Sequence, residues 1–422
     1  MQNNSVWQRA CGLVRTVVEG VRYDESAAAI VVSVRPNAKA RSRCGQCGRR
    51  SPGYDSGEGR RRWRALDAGT TAVFIEADAP RVQCSVHGQT VSQVPWARHG
   101  VGHTRDFDAM AAWLAVRTSK SATCQLLRVA WRTIGWIITR VNNDVEARVD
   151  RLSGLRRIGI DEISYKRGHR YLIVVVDHDT GRLVWAGPGR SEAALDVFFD
   201  ELGEERAAEI THVSADMADW IAKTVAARAP NAIRCADPFH VVAWAIEALD
   251  IERRRAWNQA KGRKIKASPG HRGRTTGDSR QIARSRYALW KNPDDLNPRQ
   301  QQLDWIAKTD PKLWRAYLLK EGLRYVFAVK GDEGKEALDQ WLSWARRSQL
   351  ESFIHLAKRI TKHRDAIEAN LECGLSQGLI ESTNTKIRLL TRIAFGFHGP
   401  NPLIALALLA LGSHPPRLPG QN

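Results

Sequence analysis

The chain has 422 residues, of which 43% are hydrophobic and 26% charged, a balance typical of a globular protein and not of a disordered one. Lysine and arginine outnumber aspartate and glutamate by 65 to 45, so the net charge is +20. An excess of this size predicts a polyanionic partner. The excess is also clustered, because residues 261–291 carry ten basic side chains and one acidic side chain.

Neither an export signal nor a membrane span is expected. The first residues are polar, and the longest apolar stretch, Leu403–Leu411, is too short to cross a bilayer. The seven cysteines are therefore expected to stay reduced in a cytoplasmic protein, which favours metal binding over disulfides. The usage of arginine and alanine indicates a GC-rich bacterial genome.

Residues 1–100 are predicted to form a β-rich module that binds zinc. Cys44 and Cys47 form a Cys-x2-Cys pair, and Cys84 and His87 form a Cys-x2-His pair. Four ligands of these types suit a closed tetrahedral Zn²⁺ site of structural function. The alternative is a set of unpaired reduced cysteines. A catalytic zinc is disfavoured because the pattern suggests no open coordination position.

Residues 101–150 are predicted to form a helix-turn-helix domain. A first helix begins near Thr104 or Asp106, a short second helix follows, and a longer third helix runs from about 132 to 148. In this motif the last helix lies in the major groove of DNA. The side chains that could then reach DNA are Arg132, Thr133 and Arg140. The alternative is an ordinary helical connector.

Residues 151–240 are predicted to form the first part of a mixed α/β domain. The element order βββαβαβ predicts a five-stranded sheet with helices on its faces. Asp161 ends the apolar run of the first strand and Asp216 ends the fourth, so the sheet would bring both carboxylates together. Asp237 follows the next strand and competes with Asp216 for the second position. If Asp216 takes that position, Asp237 and His240 lie nearby or Asp237 caps a helix.

Residues 241–375 are predicted to be helical and to interrupt the sheet domain, which ends with the helices of residues 376–422. A helix from Gly378 to Arg392 carries Glu381 as its only acid. We expect this carboxylate to meet metal and the following side chains to meet the DNA backbone. The candidate contacts are Asn384, Lys386, Arg388 and Arg392, with Lys166 from the first hairpin. The alternative is a solvated basic stripe behind a glutamate favoured by the helix dipole.

Three isolated acids in a basic protein predict metal-dependent cleavage of a phosphodiester. Such chemistry uses hard oxygen ligands around two Mg²⁺ or Mn²⁺ ions that lie about 3.5–4 Å apart. Asp161 would be the shared ligand, with Asp216 on the first ion and Glu381 on the second.

Four motifs occur in an order that carries a family resemblance. They are DEISYKRGHRY from Asp161, the pair Asp216-Met217, DPFHV from Asp237, and ESTNTKI from Glu381. With the Cys/His pairs and the helix-turn-helix, they resemble the ISL3-family insertion-sequence transposases, which are DDE-class enzymes with an RNase H-like catalytic domain. The resemblance spans nearly the whole chain. It implies that Asp161, Asp216 and Glu381 are the catalytic acids and that residues 241–375 form an α-helical insertion domain.

The resulting hypothesis is a DNA transposase that binds terminal inverted repeats with its N-terminal modules. Water would cleave the 3′ ends, and the freed hydroxyls would attack target DNA. Both ends must be held together, which implies a dimer or a larger assembly associated with the bacterial nucleoid. The alternatives are a non-enzymatic DNA-binding regulator derived from a transposase and an RNase H-like nuclease without strand transfer.

Overall fold

The computed structural model describes residues 2–262, 277–297, 303–375 and 378–421. Packing divides the chain into two compact units, one of Met1–Arg151 with Ile387–Asn422 and one of Leu152–Lys386. Half of the ten basic side chains noted at 261–291 fall at 263–276, which lies outside the described residues. In the part that is described, no helix is both long and apolar enough to cross a membrane.

The first unit starts with a helix and two small sheets. The elements are α1 (Gln2–Ala10), β1 (Thr16–Asp24), β2 (Ala29–Pro36), β3 (Gly53–Asp55), β4 (Arg60–Arg64), β5 (Ala72–Asp78), β6 (Arg81–Cys84) and β7 (Gly88–Val91). One sheet has the order β1-β2-β5-β4 and the other the order β3-β6-β7. Val32, Trp63 and Ile75 are buried together on the larger sheet. The β-rich start is confirmed, whereas the sequence analysis does not predict α1.

Three helices follow in the same unit and confirm the helical triplet expected there. They are α2 (Arg105–Arg117), α3 (Lys120–Leu127) and α4 (Trp131–Glu146). Thr104 Oγ1 accepts a hydrogen bond from the amide of Phe107, and Ser119 Oγ accepts one from the amide of Ala122, so each hydroxyl caps a helix start. The residue before α4 is Ala130, which provides no side-chain cap.

A buried carboxylate joins α2 to α4. Asp108 on α2 is fully buried and accepts a hydrogen bond from Arg140 Nε on α4 at 2.8 Å and one from Arg98 at 2.6 Å. Because a buried charge needs a partner, this pairing fixes how the two helices pack.

The second unit holds a five-stranded mixed sheet. Its elements are β8 (Arg157–Lys166), β9 (Arg170–Asp177), β10 (Arg182–Pro188), α5 (Glu192–Leu202), α6 (Glu204–Ala208), β11 (His212–Ala215), α7 (Asp219–Arg228) and β12 (Ile233–Ala236). The strand order is β10-β9-β8-β11-β12; β10, β9 and β8 pair antiparallel, and β11 pairs parallel with both β8 and β12. The mixed α/β fold expected from the sequence is confirmed.

Two element boundaries in this sheet differ from the sequence prediction. The first strand does not end at Asp161 but runs on to Lys166, because β8 stays paired with β9 as far as Arg170. The single helix expected between the third and fourth strands is instead two helices, α5 and α6, which are separated at Gly203, whose φ of 83° lies outside the helical region.

The rest of the second unit is helical, as the sequence predicts. Its elements are α8 (Pro238–Gly262), α9 (Gly277–Arg284), α10 (Arg286–Trp290), a 3-10 turn (Pro293–Asp295), α11 (Asp304–Thr309), α12 (Pro311–Val329), α13 (Gly331–Arg346), α14 (Glu351–Lys362) and α15 (Arg364–Cys373). They share one apolar core in which Trp341 and Phe353 are buried. Trp341 Nε1 donates to the carbonyl of Leu319 at 2.7 Å, so this tryptophan is a core residue.

Two helices complete the chain, α16 (Gly378–Ile393) and α17 (Pro400–Leu411). The boundary between the compact units falls inside α16, between Lys386 and Ile387. Residues 387–422 thus pack with the first unit, and α17 contacts α2 and α4 there. The assignment of residues 376–422 to the catalytic domain stays a prediction.

The start of α16 packs closely on β8 because β8 has a glycine at the contact. A Cβ added at Gly159 would overlap Cδ1 and Cγ1 of Ile380. We expect Gly159→Ala to lower the free energy of unfolding by about 1–3 kcal/mol, since Ile380 or the strand must shift. Thermal unfolding followed by calorimetry measures this.

Gly20→Ala is the matched control, because Gly20 is also a strand glycine but has no atom within 4 Å of the added Cβ. An equal loss of stability in both variants would mean that the contact with Ile380 is not the cause.

Candidate active site and zinc centre

Four side chains in the first unit form a compact metal-ligand cluster. Within the described residues, Cys44, Cys47, Cys84 and His87 are the group of at least three possible ligands whose donor atoms all lie within 4.8 Å of one another. The Sγ atoms of Cys47 and Cys84 are 3.7 Å apart, as are Cys84 Sγ and His87 Nδ1. The edge of a tetrahedron of about 2.3 Å zinc–sulfur bonds is about 3.8 Å, so the cluster fits Zn²⁺.

Local backbone geometry prepares these ligands. Gly48 has a φ of 70°, and a Cβ at Gly45 would overlap the ring of His99, so both turn positions suit glycine. The backbone amides of Val86 and His87 donate toward the Cys84 sulfur and lower the pKa of the Cys84 thiol to about 5. A thiolate is the form that binds zinc.

Three neighbouring strands of the second unit bring aspartates to the same level of the sheet. In the parallel ladders, Ile160 lies opposite Ala215, and Ala215 lies opposite Ala236. The next residues on the three strands are Asp161, Asp216 and Asp237. The expected approach of the first and fourth strands is therefore confirmed, and Asp237 follows in the same row.

Asp161 is held on both of its oxygens. Oδ1 accepts a hydrogen bond from the amide of Glu162 at 2.7 Å, and Oδ2 accepts one from Asn384 Nδ2 at 2.6 Å. Burial raises the pKa of Asp161, and the charges of Asp237 and Asp216 raise it further. A bound cation would offset this cost of keeping the carboxylate ionised.

Asp216 and Asp237 differ in how their oxygens are used. Asp237 is buried; its Oδ1 accepts from the amide of Phe239 at 2.9 Å, and its Oδ2 bonds His240 Nδ1 at 2.5 Å. The contact with Asp237 raises the pKa of His240 to about 9. Asp216 is half-buried, and its Oδ1 accepts from the amide of Met217 at 2.5 Å. Its second oxygen has no hydrogen bond within the described residues, so Asp216 is the more available ligand.

The start of α16 brings the side-chain amide of Asn384 to Asp161, but it does not bring the carboxylate of Glu381 there. Glu381 is exposed, and in the part of the chain that is described the acids Asp161, Asp216 and Glu381 do not form a group within 4.8 Å. Carboxylates that close would repel one another. The contact from Asn384 to Asp161 is not predicted from the sequence, although the spacing of three residues from Glu381 places both side chains on one helix face.

The donor set around Asp161 suits a hard divalent cation. Asn384 is 3% exposed, and its Oδ1 atom is buried without a hydrogen-bond partner in the described structure. A buried carbonyl oxygen needs a donor or a cation. Together with the carboxylates of Asp161 and Asp216, it offers the oxygen ligands that Mg²⁺ or Mn²⁺ prefers.

The candidate DNA contacts differ in accessibility. Arg132, Lys166, Lys386, Arg388 and Arg392 are exposed, and Thr133 is half-buried. Two others already have protein partners: Arg140 pairs with Asp108, and Asn384 is buried against Asp161. The role of each residue in DNA contact stays a prediction.

Family models match three successive parts of the chain. A model for ISL3 transposases with the description "Transposase" matches residues 158–407. The helix-turn-helix domain of transposase family ISL3 matches residues 92–142. The zinc-finger of the transposases of IS204, IS1001, IS1096 and IS1165 matches residues 40–87.

Full-length relatives carry the same description. The chain is 59% identical to the transposase for insertion sequence element IS1557 of Mycobacterium tuberculosis, over 100% of this chain and 98% of the relative. It is 25% identical to the transposase for IS1001 of Bordetella parapertussis, over 90% of this chain and 91% of the relative.

The zinc centre predicts a stabilising metal. We expect Cys47→Ser to reduce bound zinc from one ion per chain to a small fraction and to lower the melting temperature, since a structural zinc site contributes directly to folding. Elemental analysis with thermal unfolding measures both. Cys124→Ser is the control, because Cys124 lies on α3 outside the cluster. A Cys47→Ser protein with full zinc content would contradict this ligand set.

Proposed function

Because the chain belongs to the ISL3 family of insertion-sequence transposases, we propose that it cleaves the 3′ ends of its element and joins them to target DNA by a DDE mechanism. Asp161, Asp216 and Glu381 are the proposed catalytic acids. The observation that carries this assignment is the parallel pairing of β8 with β11, in which Ile160 lies opposite Ala215, so that the next residues, Asp161 and Asp216, are neighbours. The hydrogen bond from Asn384 supports the third position, because it brings the helix of Glu381 to Asp161.

The proposed metal ligands are the same three carboxylates, with the Asn384 carbonyl as a further oxygen donor. Two Mg²⁺ or Mn²⁺ ions held there would supply activation of water and stabilisation of the leaving oxygen. The net charge of +20 attracts the negatively charged DNA backbone to the protein. Within this basic surface, the three acids provide the negative charge that a metal cation requires.

Two side chains near these acids have positioning roles in this proposal. Asn384 donates to Asp161 Oδ2 and so restricts the rotation of that carboxylate. Asp237 caps the start of α8 and holds His240, whose pKa is raised by the contact. We therefore keep Asp216 as the second acid, because both oxygens of Asp237 have partners within the protein.

The water that attacks the 3′ end needs no protein nucleophile. The proposal has no serine or tyrosine that forms a covalent intermediate with DNA. The freed 3′ hydroxyl then attacks target DNA in a second displacement.

Recognition of the DNA sequence is assigned to the helix-turn-helix of the first unit in this proposal. The start of α4 offers Arg132 and Thr133 to the major groove, as expected of the third helix of a helix-turn-helix. Lys166, Lys386, Arg388 and Arg392 would contact phosphates, whereas Arg140 would first have to leave Asp108. Joining two element ends in one reaction also requires at least two copies of the chain.

A cleavage assay tests the assignment of the acids. The substrate is a labelled duplex that carries one end of the element, incubated with Mg²⁺ and with wild type, Asp161→Asn or Asp216→Asn. We expect each variant to lose cleavage by at least about a hundredfold, since each removes a carboxylate charge that would hold the metal ions. DNA binding should persist, as gel-shift experiments at the same salt concentration would show.

Asp237→Asn is the comparison that separates the two candidates for the second acid. We expect it to lower the melting temperature, because His240 loses its anionic partner at a buried position. We also expect it to retain more activity than Asp216→Asn. Full loss of cleavage by Asp237→Asn with an active Asp216→Asn would reverse the assignment. If every protein binds DNA without cleaving it, including wild type with two element ends present, a DNA-binding regulator is favoured. If DNA is cleaved but no joined products form, a nuclease is favoured.

A further inference from the structure

A lysine is buried without a charged partner in the first compact unit, the DNA-binding unit, which carries the helix-turn-helix domain. Lys120, the first residue of α3, is only 4% exposed. Within the described residues its ammonium group makes no hydrogen bond and no ion pair. Its neighbours are aromatic: Nζ lies 3.2 Å from the centre of the Trp131 ring and 5.3 Å from that of Phe397.

Aromatic rings stabilise such a cation only in part. Burial lowers the pKa of Lys120 to about 8, which shows that its charged form is disfavoured there. A buried charge is normally paired, because the loss of hydration is larger than the gain from a ring face. An anion at Nζ would complete the site.

The lysine lines a pocket that can admit such an anion. The pocket has a volume of about 330 Å³. Its walls combine aromatic and apolar surfaces with two further basic side chains, Arg132 and His398. The remaining lining residues are Trp131, Gly135, Trp136, Phe397, Gly399 and Pro402. All of them belong to the first compact unit.

The start of α4 lies at the same pocket. Trp131 and Arg132 are the first two residues of this helix of 16 residues, and Ala130 before them provides no side-chain acceptor. The first turn contains no acidic residue. Free amide groups and the helix dipole favour an anion at such a position. Lys120 is the second, independent feature that points to one.

We propose that this pocket binds one phosphodiester group of the DNA backbone, with its phosphate at Lys120, Arg132 and the start of α4. The deoxyribose next to that phosphate lies against the aromatic walls, which accounts for a pocket larger than a phosphate alone. The pocket thereby sets the position of α4 along the groove, since phosphate contacts determine register and base contacts determine sequence preference. It depends on the DNA-binding role of this unit and not on the metal chemistry of the acids.

The test removes the charge at Lys120 and, separately, at single phosphates. Wild type and Lys120→Met are titrated with a duplex of the element end in which one phosphate at a time is replaced by a neutral methylphosphonate. At one position we expect about a tenfold loss of affinity for wild type and a smaller loss for Lys120→Met, which keeps only Arg132 and the start of α4 at that phosphate. With unmodified DNA, Lys120→Met should bind about tenfold more weakly. The slope of log affinity against log salt concentration should also fall by about one, because one phosphate contact is lost.

Two further proteins make the result decisive. Lys358→Met removes the same charge from an exposed position on α14 and should change affinity by less than about threefold. Arg132→Met alters an exposed residue of the pocket and should be less sensitive than wild type to the same methylphosphonate, which keeps the test valid if Lys120→Met does not fold. Melting temperatures verify folding, and Lys120→Met should not be less stable, because it buries no charge.

The proposal is overturned if Lys120→Met binds as tightly as wild type, or if it loses affinity but remains as sensitive as wild type to every methylphosphonate. Either result would make Lys120 a residue of the helix packing alone. Because this assay measures binding without cleavage, its outcome is independent of the Asp161→Asn experiment.

Discussion

The parallel register of β8, β11 and β12 is the constraint on which the second compact unit, Leu152–Lys386, depends. This is the catalytic unit of the proposal. In neighbouring parallel strands, residues that follow an aligned pair are themselves brought side by side. Here the successive residues are Asp161, Asp216 and Asp237. A shift of one residue in either ladder would turn the aligned side chain to the other face. The buried apolar residues before each aspartate, such as Ile160 and Ala215, hold the register because they belong to the core.

The sequence predicts those features whose signal is local. Cysteine and histidine spacing, strand alternation and the order of elements are enough for the zinc cluster and the mixed sheet. It does not predict contacts between side chains that are distant in the chain. Asn384 and Asp161 are 223 positions apart, and their hydrogen bond follows only from the packing of Ile380 over Gly159. The pairing of Arg140 with Asp108 is of the same kind, because a basic residue on a predicted recognition helix has no sequence mark that separates a DNA contact from a structural ion pair.

Charge is used in two opposite ways in the two compact units. In the catalytic unit, like charges gather at one sheet edge, where burial raises the pKa of Asp161 and the fold must tolerate their repulsion. In the DNA-binding unit, Asp108 is fully buried but neutralised by arginines, whereas Lys120 is buried with aromatic neighbours. Asp108, which has arginine partners, stabilises the fold, whereas Asp161 and Lys120, which have no oppositely charged partner among the described residues, are the groups for which a ligand is proposed. The absence of an oppositely charged partner at a buried group therefore distinguishes candidate sites from structural ion pairs better than the charge itself does.

The packing of α17 has a consequence for synthesis of the protein. The helices α2 and α4 lie within the first 151 residues, but they pack against α17, which is made of Pro400–Leu411. The ribosome produces the entire catalytic unit between these partners, so the DNA-binding unit cannot finish folding until nearly the whole chain has been translated. Nascent or prematurely terminated chains lack its last helix and leave apolar residues of α4 uncovered. Complete translation thus precedes the formation of a fully packed DNA-binding unit, and an isolated fragment of residues 1–150 would lack part of its core.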